Sequence, residues 1–357
     1  MTSQPQEELV VIANETSNET LASHPIVANQ FAGKSTPFAL AGALLITVGV
    51  GLYTVGALAG ALRALFLQSV LSRSAIELVL WYSALPIVIG VIFFLADLRT
   101  VSRKRTAKQL VDSALENQNV TVALTAYNDE LSIAASVQDF LGQKNVIRVI
   151  VISNNSSDKT EANALAAGAI VFNEPEQGYG ACVRRAIREA SAFDDTAIVA
   201  ICEGDMTFRA YDLDKMVPYL RHSDVVNGTR IVETLQERAT QITMFMHYGN
   251  LAVAKLLELK YFGDATLTDV GTTFKLLRRD KALQLLPLLS EPVNLEFNPY
   301  LMEQAIRAGF RFVEVPITFH QRVGVSKGGN ISNRVAIKVG TRMILGILIG
   351  WRRVIVR

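Results

Sequence analysis

The sequence predicts an α/β protein: a mainly parallel, doubly wound sheet, preceded by a two-helix membrane hairpin and followed by a helix lying on the membrane surface. Three observations carry this. From residue 119 onward, apolar and partly β-branched runs alternate with helical patterns, the order that builds a parallel sheet with right-handed crossovers. Residues 38–62 and 78–96 contain no charged side chain, and each can cross a hydrocarbon core needing about 20 residues. At the end of the chain, Arg334, Lys338 and Arg342 recur every fourth position beside Ile344, Leu345, Ile347, Leu348, Ile349 and Trp351, a basic amphipathic helix suited to anionic lipid; a helix packed on the protein is the other reading.

Taken in order, residues 1–37 are rich in Glu, Asn, Ser and Thr and read as a flexible tail that cannot bury a core. Residues 38–98 form the hairpin, with Pro86 expected to kink its second helix. A basic segment, 99–118, follows with Arg99, Arg103, Lys104, Arg105 and Lys108, whereas the loop between the spans offers only Arg63 and Arg73. That imbalance predicts an integral membrane protein with tail and catalytic domain in the cytoplasm. No basic segment precedes the first apolar run, so a cleaved signal peptide is not expected. Strands are predicted at 120–126, 146–153, 169–172 and 196–202, with helices at 131–141, 160–167 and 180–192 between them. Beyond come helices at 211–220, 242–257, 280–289 and 298–308 and strands at 224–227, 272–277 and 311–316. The domain is bounded at 119–330 and the terminal helix at 331–357.

A chain of 357 residues with a net charge of +2 lacks the strongly basic face of a nucleic-acid binder. Its positive mean hydropathy, +0.27, is accounted for by the two spans. Cys182 and Cys202, the two cysteines, lie in apolar runs and read as reduced core residues.

Chemistry gathers where strands end. The run into Cys202 stops in Glu203-Gly204-Asp205. Two carboxylates flanking a glycine at the carboxyl edge of a parallel strand can face one hard cation, whose shell substrate phosphates and water complete. An acidic turn is the bland alternative for the motif alone. Thr125-Ala-Tyr-Asn-Asp-Glu130 closes the first strand, and Ser153-Asn-Asn-Ser-Ser-Asp158 the second. Glu176-Gln-Gly-Tyr-Gly180 follows the third, its glycines able to admit a ligand at a helix start. Far downstream, Gln321-Arg-Val-Gly-Val-Ser-Lys327 is a basic loop suited to phosphate. His320 beside it is an alternative base, though a lone histidine there is more often structural.

From about Val120 to Lys327 the order of these segments resembles the family 2 glycosyltransferases of GT-A fold, within them the polyprenyl-phosphate (dolichyl-phosphate) mannosyl- and glucosyltransferases. The matching residues are Ala126-Tyr-Asn-Asp-Glu130, Gln177-Gly-Tyr-Gly180 with Arg184, Glu203-Gly-Asp205, Val226-Asn-Gly-Thr-Arg230, Asp269-Val-Gly-Thr-Thr-Phe-Lys275, Val315-Pro316 and Arg322-Val-Gly-Val-Ser-Lys327. Departures stand beside them. Ser153 and Asn154 replace a common Asp-Asp, Glu203 replaces the first Asp of Asp-x-Asp, Thr273 replaces glycine, and Tyr300 falls where Glu is common. A second acceptor arginine has no clear counterpart, Arg238 being nearest in sequence, and the spans precede the domain instead of following it.

The resemblance implies inverting transfer of a hexose from a nucleotide sugar to a polyprenyl phosphate, undecaprenyl or dolichyl, at the cytoplasmic face of a membrane. It implies Mg²⁺ or Mn²⁺ at Glu203 and Asp205. Donor contacts are expected at Ala126, Tyr127, Asp129, Asn154, Gln177, Gly178, Gly180, Arg184, Glu203 and Gly204. The acceptor phosphate is expected at Arg230, Arg322, Ser326 and Lys327, with Asp205, Asp269, Arg230 and Arg322 as the catalytic set. Asp269 either orients the acceptor or acts as base; a structural carboxylate capping a loop is the other reading. Family analogy also implies a homo-oligomer. Transfer directly to a glycan or another lipid, or a catalytically silent scaffold of the same fold, are the rival readings.

Overall fold

The computed structural model describes residues 37–66, 72–107, 115, 117–237, 243–324 and 333–355. The tail, most of 108–118, Arg238, Ser326 and Lys327 lie outside the described residues.

Helices α1 (Pro37–Leu65), α2 (Arg73–Tyr82) and α3 (Ala84–Ala107) come first. Alternation then runs β1 (Val120–Ala126), α4 (Ile133–Leu141), β2 (Val146–Ser153), α5 (Thr160–Ala166), β3 (Ile170–Asn173), α6 (Tyr179–Ala192) and β4 (Ile198–Glu203). It continues through α7 (Leu213–Met216), β5 (Val225–Thr229), α8 (Met244–Lys260), β6 (Lys275–Arg278), α9 (Arg279–Leu285), α10 (Phe297–Arg307) and β7 (Phe312–Pro316), closing with α11 (Asn333–Ile349) and α12 (Trp351–Ile355). The strands form one seven-stranded sheet in the order β3-β2-β1-β4-β6-β5-β7. All neighbours are parallel except those of β6, which runs antiparallel to both β4 and β5. Apolar alternation reports which residues are buried and not which way a strand runs, so this reversal has no signature in the sequence. The helix expected at 211–220 is a short α-helical turn flanked by 3₁₀ turns, a tightening consistent with Pro218 inside it.

Each strand has two apolar faces because each face meets its own core. Val122, Leu124, Val149, Val151, Ala200 and Cys202 pack with Ile133, Val137 and Phe140 of α4. Ala123, Ile150, Ile152, Val199 and Ile201 pack with α6 and α10 on the other side, which is the pattern of a sheet covered on both faces. The order β3-β2-β1-β4 reverses direction between β1 and β4, so their carboxyl ends open the crevice where ligands of doubly wound sheets sit. Cys182 and Cys202 are buried and free, as their apolar surroundings predicted.

The hairpin is built on backbone approach. A Cβ on Gly42 would lie 2.5 Å from Gly90 O, and one on Gly49 would lie 2.8 Å from Ser83 O, so only glycine lets α1 and α3 come this close. Asp97 accepts from Ala39 N at 2.6 Å, tying the start of α1 to α3. The second span is broken at Ser83, just ahead of Pro86, which has no N–H to donate to the Tyr82 carbonyl of a continuous helix and whose ring would clash with it. Two segments, Phe38–Leu65 and Arg73–Leu98, are long and apolar enough to cross a membrane, and only 17% and 11% of their most apolar windows are buried. Core helices would be mostly covered; these turn Val48, Tyr53, Leu58, Trp81 and Ile92 outward.

The C-terminal helix does two things at once. Met343, Ile347 and Trp351 are buried against the domain, Trp351 Nε1 donates to Glu303 Oε2 at 2.6 Å, and Lys260 bonds the Ile347 carbonyl. Ile337, Ile344, Leu345 and Ile349 face outward. Gly350, at φ +98°, ends α11 and turns the chain into α12.

Gly180 is needed for close packing. A Cβ there would sit 1.8 Å from the Val293 carbonyl oxygen and 2.9 Å from Phe297 Cδ2. Overpacking against backbone costs about 1–3 kcal/mol or more, so Gly180→Ala is expected to lower unfolding free energy by about that much. Denaturant titration of the detergent-solubilised protein checks this; a loss below about 0.5 kcal/mol contradicts it.

Candidate active site

The acid tip forms because β4 runs out of apolar sequence at the rim. Gly204 N donates to Thr125 O at 3.0 Å, and a Cβ on Gly204 would strike Ile133 Cδ1 at 2.6 Å, so glycine lets the chain turn tightly over α4. Met206, at φ +66°, completes the turn. Asp205 is buried; its Oδ1 accepts from Thr207 N at 3.0 Å and Thr207 Oγ1 at 2.5 Å. Its Oδ2 is buried without a well-formed hydrogen bond and faces the Arg322 guanidinium. Arg322 Nη2 also lies 3.4 Å from Glu203 Oε2. The backbone seals this junction, Val323 N donating to Asp205 O at 3.1 Å. The acidic pair and Arg322 of the basic loop therefore share one cleft.

Glu203 keeps 28% of its side chain exposed, so the cleft is open at this oxygen. Burial and the Asp205 charge push its carboxyl up to about 7, against the pull of Arg322 and the Thr273 hydroxyl. Thr273 Oγ1 donates to Glu203 Oε1 at 2.7 Å. Asp205 Oδ2 and Glu203 Oε2, both neighboured by the Arg322 guanidinium, are the pair of anionic oxygens that would suit a hard divalent cation. Among the described residues no group of three or more His, Cys, Asp or Glu is arranged for a metal, so phosphate and water would complete the shell.

Asp269 and Arg230 are one unit. Arg230 Nε and Nη2 donate to the two Asp269 oxygens at 2.7 and 2.8 Å, and Arg230 N and Gly271 N add bonds of 3.1 and 3.0 Å. Burial alone would raise the Asp269 carboxyl, but the Arg230 charge and these donors hold it below the usual carboxylate range. A carboxylate with both oxygens engaged is poorly suited to take a proton, so the geometry favours an orienting role over a base. Arg230 likewise comes to any phosphate already paired.

A group that sequence reasoning missed lies behind this unit. Glu314 of β7 accepts from Thr268 N and Oγ1, both at 2.6 Å, from Asp269 N at 3.3 Å and from Asn227 Nδ2 at 3.0 Å. A lone carboxylate inside the apolar run before Pro316 was its only signal.

The turns after β1 and β2 are stitched together. Asn128, at φ +52°, accepts from Ser157 N at 2.7 Å; Asp129 Oδ2 accepts from Tyr127 N at 3.0 Å; and Asp129 N donates to Thr160 Oγ1 at 2.7 Å. Tyr127 stands half-exposed at the rim, beside Ala126, whose carbonyl accepts from Asn154 N at 2.9 Å. Asn154 is a loop tie: its amide donates to Glu174 O and Glu176 O at 3.0 and 2.8 Å, and its oxygen accepts from Gly178 N at 2.8 Å and Gln177 Nε2 at 3.3 Å. Gly178 needs its freedom, since φ is +143°.

Arg184 is not brought to the acid tip. It bonds Glu176 at 3.1 Å and lines a separate cavity of about 500 Å³ with Arg185, Arg188, Leu289 and Ser290. His320 is structural: Nδ1 lies 2.6 Å from Glu237 and Nε2 2.8 Å from Tyr211 OH. Tyr300 is buried and donates to Leu288 O at 2.9 Å.

Lys275, the first residue of β6, is buried, bonded to the Thr272 carbonyl and lying 3.4 Å from Asn298 Oδ1. Burial, resisted by Asp269 and reinforced by Arg230, pulls its amine from the ordinary 10.5 down to about 7. Between those two values the unfolded chain binds a proton that the folded chain does not, so stability rises with pH across that window. Lys275→Met is expected to flatten this rise. Urea midpoints at pH 7.5 and 9.5 measure it, and an equal rise in both proteins contradicts the assignment.

Comparison with known proteins identifies the family. The model of Glycosyl transferase family 2 matches residues 121–286. Protein RfbJ of Shigella flexneri is 32% identical over 114 residues, covering 31% of this chain and 85% of that protein. A dolichyl-phosphate hexose transferase of Haloferax volcanii is 26% identical over 227 residues, covering 62% of this chain and 93% of that protein. Glucosyl-3-phosphoglycerate synthase of Mycobacterium tuberculosis, crystallised with Mn²⁺, UDP and glucosyl-3-phosphoglycerate, gives a TM-score of 0.47 at 17% identity over 64% of this chain and 79% of that one. The family match begins in β1, runs through the acid tip of β4 and extends past β6: this chain belongs to glycosyl transferase family 2, and it is a glycosyltransferase with a GT-A-like fold.

Proposed function

We propose that the protein is a membrane-bound inverting glycosyltransferase that moves a hexose from a nucleotide sugar to a polyprenyl phosphate at the cytoplasmic face. The observation that carries this is the meeting of Glu203, Asp205 and Arg322 in one cleft at the switch point of the sheet. Glu203 and Asp205 would hold the Mg²⁺ or Mn²⁺, whose charge would offset the negative charge growing on the departing nucleoside diphosphate. Tyr127 and the turn at Asp129 stand where the nucleobase lies, and Gln177 and Gly178 border the same rim. An acceptor phosphate oxygen is already anionic, so the protein's task is to bring two anions together without a strong base. Arg322, and Arg230 held rigid by Asp269, serve that task with the loop bearing Ser326 and Lys327.

The lipid acceptor is supported by the Haloferax volcanii relative's name and nearly full coverage, and by the two outward-facing apolar helices. Phe94 of α3 stacks 5.5 Å from Phe262, just beyond α8, which joins the hairpin to the catalytic domain. Met244, Phe245 and Tyr248 of α8 are exposed on that domain, as are the outer residues of α11, and both surfaces suit a lipid interface. The experiment is incubation of membranes holding the protein with UDP-, GDP- and CDP-sugars, Mg²⁺ or Mn²⁺, and undecaprenyl or dolichyl phosphate. Mass analysis then looks for a hexosyl-phospholipid. Sugar recovered only on glycan, or on a lipid without phosphate, overturns the acceptor assignment.

A further inference from the structure

Two departures from the family pattern, Glu203 and Thr273, meet in space. Antiparallel pairing sets Ile201 opposite Lys275, and carrying that register two residues further brings Glu203 opposite Thr273. The contact is the 2.7 Å bond from Thr273 Oγ1 to Glu203 Oε1. Behind it, Tyr179 OH lies 2.5 Å from Thr273 Oγ1, and Asn298 Nδ2 lies 2.9 Å from Tyr179 OH.

The direction of every bond in this chain follows from its ends. The Gly271 carbonyl can only accept, and Asn298 Nδ2 donates to it at 3.1 Å, while Lys275 Nζ lies 3.4 Å from Asn298 Oδ1. The amide is therefore fixed with its nitrogen toward Tyr179. Tyr179 accepts from Asn298 and spends its one proton on Thr273. Thr273 in turn has one proton left for Glu203, and an ionised carboxylate can only accept. All donors point toward the acid tip, and hydrogen bonds aligned head to tail polarise one another.

We infer that Thr273, backed by Tyr179 and Asn298, is a positioning residue that holds Glu203 Oε1 so that Oε2 is presented to the cation beside Asp205. Glutamate has one more rotatable bond than aspartate and needs such an anchor; the shorter aspartate side chain, placed at the same point of β4, would draw its oxygens back from Thr273 and make the anchor idle. The pair Glu203–Thr273 thus acts as one unit in place of the family's Asp and Gly. This inference rests on the reading of Glu203 and Asp205 as cation ligands.

The test is Mn²⁺ binding to the full-length solubilised protein, followed by electron paramagnetic resonance of the free ion, in wild type, D205N, T273V, Y179F, E203D and E203D/T273V. Partners that orient a metal ligand are typically worth 10–100-fold in affinity, so T273V is expected to weaken Mn²⁺ about tenfold and Y179F in the same direction by less. In the E203D background T273V is expected to cost less than about twofold, a non-additivity that damage to the fold does not produce. T273V within twofold of wild type, or an equal penalty in both backgrounds, overturns the inference while leaving the cation site standing. Mn²⁺ binding that D205N leaves unchanged overturns the cation reading and the inference with it.

Discussion

Replacing Asp205 by Asn is expected to cut sugar transfer by at least about a hundredfold, the scale on which removing one preorganised electrostatic partner of a transition state acts, while the fold survives. Asp205 Oδ1 accepts from Thr207 N and Thr207 Oγ1, and an amide oxygen can keep both bonds. The change falls on Oδ2, the buried oxygen that faces Arg322. There Asn puts a neutral NH₂ where a hard cation needs an anionic oxygen, and it turns a donor toward a guanidinium. Arg322 retains Glu203 at 3.4 Å, so its charge is not left alone. Transfer assays with nucleotide sugars and polyprenyl phosphates give the first readout, and thermal unfolding gives the second. Near-normal turnover in a folded D205N protein refutes the cation role of the acid tip.

Why this tip was legible, and its supports were not, follows from the range over which each signal acts. β1 and β2 matched their expected bounds because β-branched apolar runs report burial locally. Glu203-Gly-Asp205 stood out because a charged pair abruptly ends such a run. Arg322, 119 residues from Glu203, could be joined to it only through the order of motifs along the chain. The Thr273 contact had no such cue: it depends on β6 running antiparallel beside β4, and periodicity is blind to direction. The packing need at Gly180 was hidden in the same way, because the group it admits is the Val293 carbonyl, more than a hundred residues away. Arg184 points to the donor by its place in a motif, while in α6 it lies beyond Tyr179 and pairs with Glu176.

Asp269→Ala is the substitution with the largest expected effect on stability. It removes the partner of a buried guanidinium: Arg230 has only 12% of its side chain exposed, rests 5.3 Å from the Phe319 ring, and cannot shed its proton. Breaking such a pair from one side costs about 3–5 kcal/mol, because the remaining charge stays desolvated and unmatched. The same logic says that removing both charges costs far less. Asp269→Leu with Arg230→Met is therefore expected to recover most of the lost stability and none of the transfer activity. Acid titration gives an independent reading. Since Asp269 is held below the usual carboxylate value by Arg230, its contribution is present above that value and is lost as pH falls through the depressed one. Wild type is thus expected to lose stability on acidification more steeply than the double variant. If the single variant unfolds like wild type and still transfers sugar, the pair is neither a structural clamp nor part of the acceptor site. Should the double variant regain activity along with stability, Arg230 acts on the fold alone and the acceptor phosphate is held by other groups, Arg322 first among them.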